Sequence, residues 1–228
     1  MKKIVLISIV LAAALFVFSS CERENSSDVN QDRIFVIYEM VYHQSTDITY
    51  ARASFFFGGV TGTKLELSDP NKIICNDKIL SLKSALAYYE KEFEGFIDTA
   101  NYKFTDADGN SFVNEVYIKE IGLSENPDTI IKGNSFTLNF NGEPLAQGES
   151  VYVCIDGLLE NDKISVYQNT SGATSIIIPA NQTSKLSVGT NTVYLRRKTE
   201  ITPQETSSAG ASCSGIYQTK EINIEVVE

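Results

Sequence analysis

The segment Ser135-Phe-Thr-Leu-Asn-Phe-Asn141 decides the fold class, because its apolar and polar side chains alternate at every position. Phe136, Leu138 and Phe140 fall on one side of an extended chain, and polar residues fall on the other. This period of two predicts a β-strand with one face buried in a core. The same period returns further along the chain, at Val151 with Val153 and Ile155, Ile164 with Val166, Val193 with Leu195, and Ile222 with Ile224 and Val226.

Other segments extend this pattern over most of the chain. Residues 34–42 are largely apolar on both sides of an extended chain, which predicts a strand buried on both faces. Residues 87–97 fit either a strand or part of a helix, and the β-rich surroundings favour the strand. Turn signals such as Asp108-Gly109 and Asn141-Gly142 separate the segments, and short strands at this spacing predict an all-β sandwich or barrel.

The composition of the 228 residues excludes several classes of protein. Hydrophobic residues make up 43% and charged residues 21%, which are values of a globular protein. The formal net charge of -10 argues against nucleic acid as a partner, because phosphates require clustered Lys and Arg. With a single His and no catalytic motif, the sequence predicts neither an enzyme nor a cofactor.

The N-terminal residues have the features of an export signal. Two lysines precede the predominantly apolar segment 4–18, which is too short for a membrane-spanning helix of about 20 residues. Phe18-Ser19-Ser20-Cys21 follows and resembles the lipobox of bacterial lipoproteins, although Phe18 stands where an aliphatic residue is usual. The resemblance implies a signal peptide over 1–20 and acylation of Cys21, which anchors the protein in a lipid bilayer.

An acidic, Ser- and Asn-rich segment follows Cys21. Residues 22–32 contain one apolar side chain, so we expect 21–32 to form a flexible tether between the lipid and the fold. Such a segment resembles those of Bacteroidota lipoproteins, where it can accompany display on the outer face of the outer membrane. The resemblance implies the outer membrane as the location and leaves the periplasmic and surface faces both open.

The best domain boundary is the polar, proline-containing segment Gly122–Asp128, which lies between strand patterns. It divides the chain into 33–124 and 125–228, each near the size of one immunoglobulin-like sandwich. The second part resembles the Ig-like modules of Bacteroidota surface proteins, chiefly in Thr174–Pro179 and Thr190–Arg196. The resemblance implies two tandem Ig-like β-sandwich domains, and a single large jelly roll is the alternative.

Two polar motifs are candidates for chemistry. His43, the only histidine, lies at the predicted end of the first strand without a Gly-x-Ser-x-Gly elbow elsewhere, so we interpret it as a hairpin residue. Asp106, Asp108 and Asn110 offer oxygen ligands for calcium, but the Gly and Glu that an EF-hand loop requires are missing. We therefore predict a hairpin turn there and keep a calcium site as the weaker alternative.

The cysteines allow two states. Cys75, Cys154 and Cys213 remain once Cys21 is acylated, which leaves an odd number of thiols. An oxidising periplasm permits one disulfide, between Cys154 and Cys213, and leaves Cys75 unpaired. A free cysteine within a strand also packs as a small hydrophobe, so both states stay open. The spacings contain no Cys-x-x-Cys and predict neither zinc nor dithiol exchange.

Three further features concern the surface. Thr99 and Thr129 each follow an Asp and resemble the three-residue O-glycosylation pattern of Bacteroidota envelope proteins. The low-complexity segment 199–215 is interpreted as a long mobile loop before the last strand. The basic cluster Arg196-Arg197-Lys198 precedes it and is interpreted as a solvated strand end, with pairing to a carboxylate partner as the alternative.

Together with the lipoprotein resemblance, these features predict a non-catalytic binding, adhesive or structural module of the bacterial cell envelope. Glycan binding of the kind that serves polysaccharide uptake is the alternative, and the protein or glycan partner is not specified by the sequence. Sugar-binding faces usually present exposed aromatic side chains, and this chain has no Trp but 11 Tyr. A coplanar, exposed pair of tyrosines would therefore favour the glycan alternative.

Overall fold

The computed structural model of the chain describes residues 23–124, 127–156 and 162–228, so the signal segment 1–20 and Cys21 lie outside the described residues. No helix in these ranges is long and apolar enough to cross a membrane.

The first part of the chain forms β1 (Glu24–Asn25), β2 (Ile34–His43), β3 (Ile48–Phe57), β4 (Thr63–Glu66), β5 (Lys72–Cys75), β6 (Lys78–Ile79), β7 (Ser81–Lys83), β8 (Tyr88–Glu94), β9 (Thr99–Thr105), β10 (Ser111–Tyr117) and β11 (Gly122–Leu123). The second part forms β12 (Ile130–Ile131), β13 (Phe136–Asn141), β14 (Glu149–Asp156), β15 (Ile164–Gln168), β16 (Ser175–Ile178), the short helix α1 (Ala180–Thr183), β17 (Gly189–Ile201), β18 (Ala211–Gln218) and β19 (Ile222–Val227).

These strands form a sandwich of one large and two small sheets. The main path of the 12-stranded sheet runs β1-β4-β3-β2-β18-β17-β14-β15, while β8 pairs with β3 and β19 pairs with β17. A 4-stranded sheet, β10-β9-β5-β6, and a 3-stranded sheet, β11-β13-β16, pack on one face of the large sheet and share its apolar core. The prediction of an all-β sandwich is confirmed.

The alternation that predicted the strands also predicts what they bury. In β13, Leu138 and Phe140 are buried, while the polar residues between them are exposed. The strand prediction for 87–97 is confirmed by β8, which pairs antiparallel with β3. A helix over this segment would have left the edge of β3 without these backbone hydrogen bonds.

The large sheet crosses the predicted domain boundary. β2, from the first predicted domain, pairs in parallel with β18, from the second, over the whole length of β18. Buried residues from 33–124 and 125–228 form one core cluster. The two parts are thus joined edge to edge within one sheet, and the domain boundary at 122–128 stays a prediction.

Residues 23–32 lie against the sheet, which corrects the prediction of a flexible tether for this segment. Glu24–Asn25 pairs in parallel with two residues of β4. The buried side chain of Gln31 donates to the carbonyls of Ser26 and Val29, both at 2.7 Å, and accepts the amide of Ala107 at 3.1 Å. Hydrogen bonds fix this segment, so its lack of apolar residues did not reveal its order.

The segment 199–215 is not one long loop, because its ends belong to β17 and β18 and only residues 202–210 connect them. The buried Asn114 side chain holds this connection. Its Oδ1 accepts the amide of Gln204 at 2.8 Å, and its Nδ2 donates to the carbonyl of Glu205 at 2.9 Å. The predicted mobile excursion is therefore fixed on β10.

The basic cluster lies within β17, which corrects its interpretation as a solvated strand end. The side chain of Arg197 is fully buried, and its Nη2 lies 2.5 Å from Oε2 of Glu149 on β14. Nη1 donates to the carbonyl of Glu143 at 2.9 Å, and Lys119 Nζ lies 2.8 Å from the other Glu149 oxygen. This buried ion pair links β14 and β17 of the large sheet to the segments that contain Lys119 and Glu143.

Candidate functional site

The candidate site lies on the outer face of the large sheet, the face opposite the two small sheets. The registers of β15, β14, β17 and β18 place Tyr167, Tyr152, Arg196 and Gln218 in one row across this face. Side chains two positions apart on a strand share a face, so Lys198 of β17 stands beside this row. The face therefore presents aromatic and charged side chains together.

Tyr152 and Tyr167 form an exposed aromatic pair. They are direct partners across the β14–β15 ladder, and their ring centroids lie 5.9 Å apart with an angle of 33° between the planes, so the pair is exposed but tilted rather than coplanar. Tyr152 is 38% exposed and Tyr167 is 63% exposed. Tyrosines on a strand are usually half buried against neighbours, whereas these two leave ring surface available to a ligand.

A groove of about 300 Å³ lies next to this pair, and we call it the outer groove. Its lining is Glu39, Tyr152, Cys154, Ser165, Arg196, Lys198 and Ile216. A second depression of about 450 Å³ continues from it toward Pro203 and shares Glu39 and Lys198. The two together form an extended, open depression suited to a chain-like ligand rather than to a small enclosed one.

The charges of the outer groove do not balance. Lys198 Nζ lies 3.2 Å from Glu200 Oε1, and Glu39 Oε1 lies 3.7 Å from Arg52 Nη1, so these two lining residues already have partners. Across the ranges that the structure describes, the side chain of Arg196 has neither an ion pair nor a hydrogen bond. The groove therefore keeps one unneutralised positive charge beside the aromatic pair.

Hydroxyl and thiol groups lie next to the tyrosine pair on the outer face. Burial, together with a hydrogen bond to Cys154, raises the pKa of Tyr194 to about 12. Cys154 Sγ in turn lies 3.7 Å from Ser165 Oγ. The Tyr194 hydroxyl is therefore uncharged at neutral pH.

On the neighbouring part of the outer face, around β3 and β8, the charged side chains form ion pairs with one another. Arg52 Nε donates to Glu90 Oε2 at 2.7 Å, and its guanidinium lies 5.1 Å and 5.4 Å from the ring centres of Tyr50 and Tyr88. Lys83 Nζ lies 3.3 Å from the same Glu90. These contacts stabilise the β3–β8 ladder and leave little for a ligand.

His43 lies at the end of β2, as predicted, with its ring centroid 5.4 Å from that of Tyr50. Partial burial and the positive charges of Arg52 and Arg196 lower its pKa. Within the described residues, no hydrogen bond joins its ring to a nucleophile or a carboxylate. Its surroundings are those of a neutral packing residue rather than a catalytic base.

The predicted turn between β9 and β10 is confirmed. Asp106 Oδ1 accepts the amide of Asn110 at 2.8 Å, and Asp106 Oδ2 accepts the side-chain amide of Asn110 at 2.9 Å. The calcium candidates Asp106 and Asn110 are thus bonded to each other, with Asp108 between them. In the described part of the chain, no three His, Cys, Asp or Glu side chains lie together as metal ligands.

Cys75, Cys154 and Cys213 are free, buried thiols, so of the two states that the sequence left open the structure has the unpaired one. Cys154 of β14 pairs with Tyr194 of β17, and Cys213 of β18 pairs with Ile201, seven residues further along β17. Seven positions along a strand amount to about 23 Å, whereas a disulfide needs Cα atoms within about 7 Å. The sheet therefore keeps these two cysteines apart.

Thr99 and Thr129 are both exposed, so each hydroxyl is accessible for the O-glycosylation that the sequence pattern suggested. Their modification stays a prediction, as does the acylation of Cys21.

Sequence reasoning did not find Tyr167 or single out Arg196. Tyr152 was recognisable only as one of several tyrosines on strands. The missing information is the β14–β15 register, because two tyrosines become a pair only when their strands are aligned residue by residue.

No protein-family model and no curated protein sequence matches this chain. Among solved structures it is similar to SGBP-B of the Bacteroides ovatus mixed-linkage glucan utilization locus in complex with a mixed-linkage heptasaccharide, with 13% identity and a TM-score of 0.26, covering 90% of this chain and 65% of that one. It is also similar to the chicken CNTN1 FN1–FN3 domains, with 6% identity and a TM-score of 0.24, covering 85% of this chain and 66% of that one. The tandem V-type regions of VCBP3, a v-region-containing chitin-binding protein, match with 10% identity and a TM-score of 0.20, covering 82% of this chain and 99% of that one. Identities and TM-scores this low transfer neither a ligand nor a site to this chain.

Proposed function

We propose that this chain is a non-catalytic binding protein of the bacterial cell envelope and that its outer groove holds a glycan. The exposed Tyr152–Tyr167 pair is the observation that carries the proposal. Because of this pair, we favour glycan binding over the other roles expected from the sequence, which are those of a protein-binding, adhesive or structural module.

The chemistry of sugars matches this pair. The faces of a sugar ring carry C–H groups, which pack on the electron-rich face of an aromatic ring. Two tyrosine rings at an interplanar angle of 33° offer neighbouring surfaces to neighbouring sugar rings. Tyrosine loses little side-chain entropy on binding, because only two side-chain torsions are fixed.

Polar side chains surround the pair at the places where sugar hydroxyls project. Arg196 and Lys198 supply donors, and Glu39 supplies acceptors, along the same groove. The second depression extends this arrangement beyond the length of a single sugar. An oligosaccharide lying across β15, β14 and β17 meets both kinds of contact.

The envelope part of the proposal depends on Cys21. Acylation of this residue would hold the binding face beside a membrane, with residues 23–32 packed on the body rather than acting as a long spacer. Labelled palmitate should enter the protein in cells and be absent from the Cys21→Ser variant. Equal labelling of both, or no labelling of either, removes the lipid anchor from the proposal.

Glycan binding is tested on an array with the chain carrying Cys21→Ser, so that the lipid does not interfere. We expect Tyr152→Ala and Tyr167→Ala each to weaken binding at least about fivefold, since stacking on one aromatic ring contributes about 1–3 kcal/mol. Ile177→Ala is the matched control, because it removes a side chain of similar exposure, 59%, from the small sheet. A wild-type chain that binds no glycan, or tyrosine variants that bind as well as wild type, would overturn the proposal.

A further inference from the structure

Resting on the proposed function, we propose that the glycan in the outer groove is acidic and that Arg196 binds the carboxylate of a uronic acid residue stacked beside Tyr152.

The position of Arg196 is the first argument. It faces Tyr152 across the β14–β17 ladder and Gln218 across the β17–β18 ladder. Direct cross-strand partners have Cβ atoms about 4.5–5.5 Å apart, so the long guanidinium side chain reaches the space above the Tyr152 ring. A sugar stacked on this tyrosine has its ring substituents within reach of Arg196.

The free charge is the second argument. Lys198 and Glu39, the other charged residues of the outer groove, have ion-pair partners in Glu200 and Arg52. Arg196 is only partly exposed and, among the described residues, has no such partner. A partly exposed arginine without a counter-ion leaves its positive charge unbalanced, and a ligand carboxylate would balance it.

The neighbouring histidine supports this view of the charge. The pKa of His43 is lowered by burial first and then by the positive charges of Arg52 and Arg196. Arg52 is bound to Glu90, whereas Arg196 acts on its surroundings without a neutralising carboxylate. The local field therefore favours an anion, although the whole chain has a net charge of -10.

The shape of the guanidinium selects the anion. Its planar fork forms two parallel hydrogen bonds with a carboxylate, which is the acidic group of uronic acids. Neutral sugars would still stack on the tyrosines, but they would leave Arg196 unsatisfied. Acidic and neutral forms of the same sugar chain should therefore differ in affinity through this one residue.

The experiment compares matched acidic and neutral oligosaccharides on the chain carrying Cys21→Ser. The probes are oligogalacturonate with its methyl ester, and oligoglucuronate with the corresponding β-1,4-glucan, measured by calorimetry. We expect at least one acidic member to bind at least tenfold more tightly than its neutral partner. Arg196→Gln should remove this preference, and Arg196→Lys should restore part of it. Lys103→Gln removes the same charge from an exposed position of β9 and should leave the preference for the acidic form unchanged.

The outcomes separate the two proposals. Equal binding of acidic and neutral forms, with Tyr152→Ala still abolishing both, overturns the acidic-ligand inference and leaves glycan binding intact. A preference that persists in Arg196→Gln also overturns it, because the carboxylate would then bind elsewhere. Binding of none of these probes by the wild-type chain overturns the inference, and the glycan array then decides the proposed function separately.

Discussion

Arg196 and Arg197 are neighbours in sequence but point to opposite faces of β17. Arg196 lines the outer groove, whereas Arg197 is buried in the core against Glu149. A shift of one residue in the register of β17 would exchange them and place an unpaired arginine in the core. The same register therefore determines both the stability of the sheet and the chemistry of its outer face.

Replacing Arg197 by Met should destabilise the fold by about 3 kcal/mol, because it leaves the buried Glu149 without its nearest counter-charge. Arg196→Met is the matched control and should change the free energy of unfolding by less than about 0.5 kcal/mol, since Arg196 lies on the outer face and, among the described residues, has no ion pair to lose. Urea unfolding of the two variants measures both values. Equal stabilities would show that the buried pair contributes nothing.

The stabilising effect of Glu149 should depend on pH. Burial alone would raise its pKa, but hydrogen bonds from the Ala146 amide, Lys119 and Arg197 outweigh this effect and lower it. A carboxyl group with a lowered pKa stabilises the fold above its unfolded-state pKa, and this contribution is lost as the pH falls through the folded-state value. The difference in unfolding free energy between wild type and Glu149→Gln should therefore be largest near about pH 7 and shrink below about pH 4. A difference independent of pH over this range would argue against an ionised Glu149.

Gly215→Ala should strongly destabilise the contact between the sheets. A Cβ at this position of β18 would lie 1.8 Å from the carbonyl oxygen of Tyr117, a backbone atom at the end of β10. Relieving this overlap requires the sheets to move apart, and we expect a loss of about 3 kcal/mol. Ser212→Ala, on the exposed side of the same strand, should unfold within about 0.5 kcal/mol of wild type in the same denaturation experiment. A Gly215→Ala variant as stable as the control would contradict the close packing.

The three buried thiols should be unreactive in the folded protein. Burial raises the pKa of Cys75 and of Cys213 to about 12, so both are fully protonated at neutral pH. A chain carrying Cys21→Ser should react slowly with a thiol reagent in buffer and release all three thiols in denaturant. Detection of only one thiol after unfolding would instead indicate a disulfide.

The strands themselves were predictable from the sequence, because most of the apolar side chains that alternate along them are buried in the same core and the others pack against it. Phe140 and Val193 are examples, both predicted and both buried. The fold class follows from such local patterns, since the period of two survives whatever the strand order is.

The strand partners and the site were not predictable in this way. The Tyr152–Tyr167 pair and the row with Arg196 depend on registers between strands distant in sequence. The prediction of a flexible tether over residues 23–32 is wrong for a related reason, because part of their order comes from a hydrogen bond that Gln31 accepts from Ala107, in a turn far along the chain. The composition of a segment indicates how much apolar surface it can bury, but it does not indicate which polar groups form hydrogen bonds with each other.

The parallel pairing of β2 with β18 has a mechanical consequence. Tension that pulls the chain before Ile34 away from the chain after Gln218 runs along both strands in opposite directions. All hydrogen bonds of the ladder then share the load in shear, whereas an antiparallel hairpin pulled at its open end yields one bond at a time. A load applied between the start of β2 and the end of β18 is therefore resisted by the whole ladder at once.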